Sequence, residues 1–581
     1  MLELLVKYAR DMGLEPEPGF KPKDIRWAII CGHDGRFLEV IELGDISQKN
    51  NRGQSFPKCP DLSQPEMKAG GETKSHFLVE TAEVIALFGK NAGDEKVKEK
   101  HNYFIKLLDE AGQVMQELTK LATNLSDQTV LKTMRERMEA LKVKANDKVT
   151  FKIGDIFPVE SDKWHNWWRD YREKLSGLKP NKGQPKRMRC LVTGELGESV
   201  LTNPKIEGLA NVGGLATGDA LISFKQDSFC SYGLVQSENA AVTEKAAADY
   251  RAALNHLIRN NSQRLAGTKV VFWFKEKVKP EDDPIPWLFE GSEEQELNAS
   301  QRARELLESI QTGKRPDIAG NIYYSLNMSG AAGRVMVRDW MEGKFESLVI
   351  NIKDWFDDLE IVRREGSNLS PEPKFMAVLG ATVRELKELP SPFITKMWRS
   401  AVRGEMFPQS ALAQSLARAK IDIIQDEPFK HARMGLLKAY HVRKNRLSGG
   451  EFMSQEVKPY LNEEHPHPAY HCGRLMAVLA ALQRRALGDV GAGVIQRYYA
   501  AASATPALVF GRLVRTSQFH LSKLEPGLAN WYENKIAFIW SRIENAVPTT
   551  LDLEEQSLFA LGYYQQLADL RTRKSENSDQ K

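Results

Sequence analysis

The chain has 581 residues, enough for several domains and a large buried core. Its hydrophobic fraction of 42% and charged fraction of 27% are those of ordinary globular proteins, and no apolar run approaches the ~20 residues of a membrane helix. The formal net charge of +4 excludes attraction of nucleic acid by a strong overall field, so such contacts require local basic patches.

The N-terminal part mixes strand and helix patterns. Two β-rich runs, Arg26–Ile30 and Phe37–Ile41, flank the turn sequence His33-Asp34-Gly35-Arg36 and predict a hairpin. The stretch Gly44–Ser75 has no sustained periodicity and is predicted to be a long loop, a class that is often functional. Further strands are predicted at 149–153, 190–195, 269–274 and 321–326, and helices at 76–88, 96–141 and 243–259.

From Ala332 onward nearly every segment has a helical pattern. The clearest late boundary is Leu447-Ser448-Gly449-Gly450, and residues 453–581 have the pattern of a self-contained helical bundle. We therefore predict an α+β fold in which a mixed α/β N-terminal body is followed by an all-α C-terminal bundle. The predicted domains are 1–325, a helical middle region with linker over 326–452, and the bundle over 453–581.

The motifs do not assemble a catalytic centre. His33-Asp34 has the form of half a metal phosphohydrolase pair but lies in a predicted turn. His465, His467 and His471 have possible metal-ligand spacing, but the prolines on both sides of His467 favour a rigid entry into a helix. We predict no metal, no cofactor and no catalytic residue. A metal-dependent nucleic-acid hydrolase built on these histidines, or on His33 and Asp34, is the alternative.

Cysteines and glycines add no chemistry. The five cysteines are scattered, odd in number and without zinc spacing, as expected for a protein of a reducing cytoplasm. The glycines between 208 and 218 form neither a GxGxxG motif nor a P-loop.

Two N-terminal stretches have the composition of nucleic-acid contacts. In the predicted loop, Asn and Lys side chains could contact base edges, and the candidates are Lys49, Asn50, Asn51, Arg52, Lys68, Lys74 and His76. The stretch 178–189 has five basic residues and no acid, which suits phosphate contact. Those five residues are Lys179, Lys182, Lys186, Arg187 and Arg189.

Two C-terminal stretches are also basic. The first has no acid between Lys430 and Gly450 and consists of Lys430, Arg433, Lys438, Arg443, Lys444 and Arg446. The second has a single acid, Asp489, among Arg474, Arg484, Arg485, Arg497, Arg512, Arg515 and Lys523. Within it, Thr505-Pro506 opens a helix with one apolar and one basic face, and the pair Tyr498-Tyr499 ahead of it could stack on bases. For each stretch the alternative is an ordinary solvated surface.

Nine sequence segments, in order over nearly the whole chain, resemble the large subunit of the type I-C CRISPR surveillance complex (Cascade). They are Arg26–Ile30 with Asp34-Gly35, Ser75–Glu80, Cys190–Glu195, Leu221–Phe224 with Phe229–Gly233, Val270–Trp273, Trp340–Phe345, Pro468–Leu475, Arg497–Pro506 and Leu558–Tyr564.

The resemblance implies a non-enzymatic subunit near the 5′ end of the CRISPR RNA. Such a subunit recognises the protospacer-adjacent motif in duplex DNA, helps to open the strands, supports the displaced single strand and helps to recruit a helicase-nuclease. Sequence specificity comes from RNA–DNA pairing. The implied partners are the CRISPR RNA, the double-stranded target and its displaced strand, the backbone and RNA-processing subunits, small subunits and the helicase-nuclease, with no membrane.

On this basis we assign the candidate residues to roles. Motif reading is placed in the 49–76 loop and phosphate contact in the 179–189 loop. Single-strand binding is assigned to Arg484, Arg485, Arg497, Arg512, Arg515 and Lys523. A purely structural scaffold without DNA contact is the other alternative.

The boundary before the bundle carries a further prediction. Gly449-Gly450-Glu451 must be encoded by GGN-GGN-GAR, which has the composition and spacing of a bacterial ribosome-binding site ahead of the Met453 codon. In the family that the chain resembles, a separate small subunit arises by internal translation. We therefore predict that Met453 starts a free helical protein that holds single-stranded DNA. The alternative is a simple Ser-Gly-Gly linker.

Overall fold

The structure is a computed structural model, and it describes all residues except 46–50, 52, 63–65, 68, 178–186, 225, 291–298, 367, 428–429, 450–456, 489, 544–546 and 579–581, and except the side chains of 176–177 and 573–578. It divides into two compact units. Unit 1 comprises Met1–Ile206 and Ala220–His256, and unit 2 comprises Glu207–Asp219 and Leu257–Lys581. These divisions fall at other positions than 325 and 452, and the predicted domain boundaries stay predictions.

The secondary structure confirms the predicted α+β class. The strands are, in chain order, β1 (Phe20–Ile25), β2 (Trp27–Cys31), β3 (Phe37–Glu42), β4 (Gln54–Pro60), β5 (Glu80–Thr81), β6 (Lys148–Ile153), β7 (Arg187–Arg189), β8 (Leu196–Glu198), β9 (Lys205–Ile206), β10 (Asp219–Ala220), β11 (Ser262–Leu265), β12 (Thr268–Phe274), β13 (Ile322–Ala331) and β14 (Arg334–Lys344).

The helices concentrate toward the C-terminus. They are α1 (Leu2–Asp11), α2 (Ala82–Ala86), α3 (Glu95–Ala111), α4 (Gln116–Leu125), α5 (Gln128–Ala140), α6 (His165–Gly177), α7 (Glu244–Asn260), α8 (Pro284–Trp287), α9 (Ala299–Gln311), α10 (Phe345–Leu359), α11 (Phe375–Thr382), α12 (Ser391–Arg403), α13 (Gln409–Gln425), α14 (His431–Leu447), α15 (Pro468–Leu487), α16 (Val494–Ala502), α17 (Pro506–Leu521), α18 (Pro526–Ile543) and α19 (Leu553–Ser578). Among the described helices, none is long and apolar enough to cross a membrane.

The predicted N-terminal hairpin is confirmed in unit 1. Strand β2 pairs antiparallel with β3 and parallel with β6, in a sheet of order β3-β2-β6-β5. Gly35 has a φ of +82°, and a Cβ atom there would lie 2.8 Å from the backbone of Lys120. The turn therefore requires glycine for its conformation and for the close approach. The central position of β2 buries its apolar residues on both faces.

The prediction that Gly44–Ser75 is a continuous loop was wrong. Strand β4 lies within it and pairs antiparallel with β1, from Phe20 opposite Pro60 to Ile25 opposite Gln54. Sequence periodicity missed this ladder because two prolines lie in β4 and because a register shift between Lys21 and Lys23 breaks the alternation of the partner strand.

The prediction of continuous helix after Ala332 was also wrong at its start. Strand β14 forms a long antiparallel hairpin with β13, which also pairs with β12. Its turn places Ala332 and Gly333 at φ values of +46° and +90°. Turns of this kind usually contain Asn or Gly at the first of these positions, so the alanine weakened the turn signal. Consecutive exposed residues in β14 interrupt the alternation of apolar and polar positions by which a strand is predicted.

One continuous hydrophobic core in unit 2 runs from β12 and β13 through α10–α14 into α15–α19. Helices α15 and α19 cross in close contact: a Cβ atom on Gly562 would lie 2.0 Å from the carbonyl oxygen of Tyr470. The same core includes residues on both sides of the predicted boundary at 452/453. Whether residues 453–581 fold by themselves is not tested by this shared core, so the self-contained bundle stays a prediction.

Candidate nucleic-acid interface

Helices α16 and α17 form the hairpin that carries most of the predicted single-strand site. As predicted, α17 begins at Pro506, whose fixed φ and missing N–H suit the first helical turn. One side of α17 is buried through Val509, Phe510 and Leu513. This apolar side anchors the helix in the core, so the residues opposite to it face solvent.

The solvent-facing cations of this hairpin are Arg497, Arg512, Arg515 and Lys523, here called the basic face. All four are exposed, and the sequence from Arg497 to Lys523 contains no acid. Within the described chain, none of the four has an ion pair with a carboxylate. The guanidinium carbon of Arg512 lies 5.9 Å from the ring centroid of Tyr498, a cation–π distance that leaves the charge at the surface.

The two other predicted cations lie in the last turn of α15. Arg484 and Arg485 are exposed. The Arg484 guanidinium lies 3.6 Å from the Asp426 carboxylate, and both side chains are more than half exposed. Such a surface pair contributes at most about 1 kcal/mol, so a phosphate can compete with Asp426 for Arg484.

The tyrosine pair ahead of the basic face is divided between surface and core. Tyr498 is half-buried, whereas Tyr499 is fully buried and packs edge-on against Phe559 and Tyr563, with centroids 5.5 and 5.3 Å away. Burial raises the pKa of Tyr499 well above its usual value. The prediction that both tyrosines stack on bases is therefore wrong, because only Tyr498 borders the basic face.

Half of the basic run over 430–446 is internal, which corrects the interpretation of the whole run as a phosphate-contact surface. Arg433 is buried and forms an ion pair with Asp422, and its Nε donates to the carbonyl of Ala381 at 2.8 Å. Lys438 is buried and donates to the carbonyl of Asp357 at 3.1 Å, and burial lowers its pKa to about 8.

Three other members of the run have partners as well, whereas Lys430 is exposed at the start of α14. Arg443 is buried against Asp358, Arg446 donates to the other oxygen of the same carboxylate at 2.6 Å, and Lys444 lies 2.5 Å from Glu554. Arg474 in α15 is likewise buried and donates to Gln566 and Glu463. Their charges are neutralised by carboxylates that tertiary packing brings in, so these cations stabilise the fold.

In the described part of the predicted motif-reading loop, the polar groups form hydrogen bonds with other groups of the protein. The Asn51 amide donates to the carbonyl of Leu43 at 2.8 Å and accepts from the N–H of Gly53 at 2.9 Å. Lys74 is buried and donates to the carbonyl of Ala69. His76 Nδ1 accepts from the N–H of Leu62, and burial lowers the pKa of this imidazole. The other four candidates, Lys49, Asn50, Arg52 and Lys68, lie outside the described residues.

The second predicted loop is described only at its end. Lys179, Lys182 and Lys186 lie outside the described residues. Arg187 and Arg189 lie in β7, both exposed, and Arg189 donates to the carbonyl of Gly194 at 2.7 Å. Their exposure is compatible with phosphate contact. Met453 also lies outside the described residues.

The three histidines that a metal-dependent hydrolase would use form hydrogen bonds at the N-terminus of α15. His465 Nδ1 accepts from the N–H of His467 at 3.1 Å, and His471 donates through Nε2 to the carbonyl of His465 at 2.6 Å. His467 Nδ1 accepts from the N–H of Ala469 and caps the helix. Burial lowers the pKa of His465 to about 3 and that of His471 to about 4. Over the described ranges, no group of three His, Cys, Asp or Glu residues is placed to hold a metal ion.

Sequence reasoning missed two exposed apolar residues on α17, Leu508 and Phe519, whose side chains share the solvent side with Arg512 and Arg515. The signal was present in the spacing: positions 508, 512, 515 and 519 fall on one face of a helix. Apolar residues of a helix are ordinarily expected in the core, so the spacing alone does not show that these two are exposed.

Comparison with known proteins gives one family match. A family model described as CRISPR-associated protein (Cas_Csd1) matches residues 5–571. A search of curated proteins found no match.

Proposed function

The chain belongs to the CRISPR-associated Csd1 family, and from this premise we propose that it is the non-catalytic large subunit of a type I-C, RNA-guided DNA surveillance complex. In this role it recognises the protospacer-adjacent motif in duplex DNA, aids strand opening, stabilises the R-loop and helps to recruit the helicase-nuclease. Support comes from the match over nearly the whole chain and from the ordered sequence segments described above.

The observation that carries the DNA-binding part of the proposal is the basic face. Its cations are exposed, lie in a stretch without acid and have no carboxylate partner among the described residues. A single strand with one phosphate per nucleotide supplies the missing negative charge and releases counterions as it binds. The buried arginines of α14, Arg433 and Arg443, lack this property because carboxylates already pair with them.

The test is salt-dependent binding of a fluorescent single-stranded oligonucleotide to the full chain. Charge reversal by Arg497→Glu, Arg512→Glu and Arg515→Glu is expected to weaken binding. It should also reduce the slope of log K against log salt by roughly 2, since each phosphate contact on a single strand contributes about 0.7.

The matched control reverses three other exposed lysines in unit 2, by Lys275→Glu, Lys277→Glu and Lys279→Glu. These lysines lie in a stretch that also contains Glu276 and Glu281, so the local charge is mixed. The control is expected to leave the slope unchanged. Equal slopes for the wild-type chain and the Arg497/Arg512/Arg515 variant would favour the structural-scaffold alternative.

We also propose that Met453 is an internal start whose product is a small subunit of the same complex. The purine-rich codons required by Gly449-Gly450-Glu451 support it. The product would contain the complete basic face, so that single-stranded DNA could be bound by the large subunit and by separate small subunits.

A further inference from the structure

Phe519 and Leu508 lie on the solvent side of α17, near its C-terminal and N-terminal ends respectively. Their side chains are 70% and 80% exposed. At 100° per residue, positions 508, 512, 515 and 519 fall within about 60° of one another around the helix axis. The buried residues Phe510 and Leu513 lie on the opposite side.

Poor packing of the end of α17 does not explain why Phe519 is exposed. The helix has a complete buried face, and Leu521, two residues after Phe519, is buried in the core. Large aromatic side chains are usually buried at least in part, and a single exposed leucine needs no explanation. Phe519 differs in its setting: it is exposed between Arg515 and Lys523 in a stretch without acid, and aromatic side chains among cations are what single-strand binding sites contain.

We propose that Phe519 is a base-stacking residue for single-stranded nucleic acid, with Arg512 and Arg515 binding the phosphates beside the stacked base. The proposal rests on the single-strand function proposed for the basic face and adds a contact to the bases themselves. Every base has a π-face, so stacking on Phe519 tolerates any sequence, as the holding of a displaced strand requires.

The geometry along the helix fits alternating contacts to backbone and base. With a rise of 1.5 Å per residue, Phe519 lies about 6 Å from Arg515 along the axis and about 10 Å from Arg512. Leu508 lies about 16 Å from Phe519 at the other end of the stripe and offers apolar contact to a sugar or a further base. The cations thus lie between two apolar contacts.

A protein partner is the competing occupant, and charge argues against it. To cover this face, a protein would have to bring carboxylates to Arg512 and Arg515 as well as an apolar pocket for Phe519, because burying an unpaired cation is costly. A nucleic-acid strand carries phosphates and apolar ring faces together in every nucleotide.

The test compares three replacements of Phe519 in the full chain, with a single-stranded oligonucleotide that contains 2-aminopurine as a stacking reporter. Phe519→Ala is expected to weaken binding about 5- to 150-fold, the range measured for loss of one base–aromatic stack. The salt slope should stay at the wild-type value, because no phosphate contact is lost. Phe519→Trp should retain affinity and quench the 2-aminopurine fluorescence, whereas Phe519→Leu should bind as weakly as Phe519→Ala.

The outcomes separate this inference from the proposed function. If the Arg497/Arg512/Arg515 reversal weakens binding but Phe519→Ala does not, the basic face binds phosphates and the stacking inference is overturned. Full affinity of Phe519→Leu would overturn it too, since apolar area alone would then suffice. Loss of self-association in sedimentation, with unchanged oligonucleotide binding, would assign Phe519 to a protein interface. If the arginine reversal has no effect, the proposed single-strand function itself fails.

Discussion

Arg443 and Asp358 form an ion pair inside unit 2, with the arginine Nη2 2.8 Å from the aspartate Oδ2 and both side chains 1% exposed. The two residues are 85 positions apart and connect α14 to α10. Arg443 thus belongs to a basic run that resembles a DNA-binding surface in sequence, yet its charge stabilises the packing of two helices.

Removal of this arginine tests its structural role. Arg443→Ala leaves the Asp358 carboxylate buried with only Arg446 as a partner. It is expected to lower the free energy of unfolding by about 3–5 kcal/mol, the usual cost of breaking a buried pair from one side. Urea unfolding followed by circular dichroism measures the change. Lys387→Ala is the matched control, because that lysine is 79% exposed; an equal effect of both replacements would contradict the account.

The buried histidines predict how stability depends on pH. Burial holds the pKa of His441 at about 4, of His465 at about 3 and of His471 at about 4, whereas in the unfolded chain each has a pKa near 6.5. Between about pH 6.5 and pH 4 the unfolded chain therefore binds more protons than the folded one. The free energy of unfolding should fall as pH falls through this window, by up to about 1.4 kcal/mol per pH unit for each histidine.

Urea unfolding between pH 7 and pH 5 checks this sign. His441→Asn is expected to remove close to one proton from the slope of the unfolding free energy against pH. Replacement of the exposed Gln113 by Asn, which adds and removes no titrating group, should leave that slope unchanged. A stability that rises on acidification, or a slope that the His441 variant does not alter, would refute the assignment.

The two classes of residue in the proposed motif-reading loop should respond differently to replacement. Lys49→Ala with Asn50→Ala is expected to reduce the affinity and motif preference of the assembled complex for target duplex without loss of stability. Asn51→Ala should instead destabilise unit 1 by about 1–3 kcal/mol, because it leaves the Leu43 carbonyl and the Gly53 N–H without their partner. Filter binding and thermal melting separate the two effects. Unchanged duplex binding by the Lys49/Asn50 variant would place motif reading elsewhere.

The internal start can be tested without altering the large subunit. Synonymous recoding of Gly449-Gly450-Glu451 to codons that pair weakly with ribosomal RNA should remove the short product and leave the full chain. Mass spectrometry of the purified complex identifies a fragment that begins at Met453. Its absence from the wild-type complex would show that this start is not used.

The same fragment is expected to depend on a partner. In the full chain, Tyr564 of α19 donates to the carbonyl of Val362 at 2.8 Å, and His441 of α14 is hydrogen-bonded to Ser557 at 2.5 Å. A chain that starts at Met453 lacks Val362 and His441, so this side of α19 loses its covering. The isolated fragment should melt at lower temperature than unit 2 in the full chain, or self-associate in sedimentation. A stable monomer would show that the bundle is self-contained as predicted from the sequence.

Local patterns predicted α17 well, whereas the roles of the charged residues depended on distant parts of the chain. Pro506 and the apolar spacing marked the start and the buried side of α17, and its exposed basic side followed from them. The α14 run has a similar density of cations, but Asp358 and Asp422 neutralise it from other helices. No local pattern records such pairing, because it arises only when the helices pack. The ladder between β1 and β4 is not predicted by periodicity, because two prolines lie in β4 and a register shift interrupts the alternation in β1.

The most direct test of the central claim is photo-crosslinking in the complete complex bound to target DNA. A photoreactive side chain in place of Thr516, which is exposed beside Arg512 and Arg515, leaves every cation of the basic face intact. Crosslinks to the displaced or target strand are expected when the R-loop forms, and none are expected from the same side chain in place of Lys277. Crosslinks from position 516 to protein alone, with a formed R-loop, would contradict the claim.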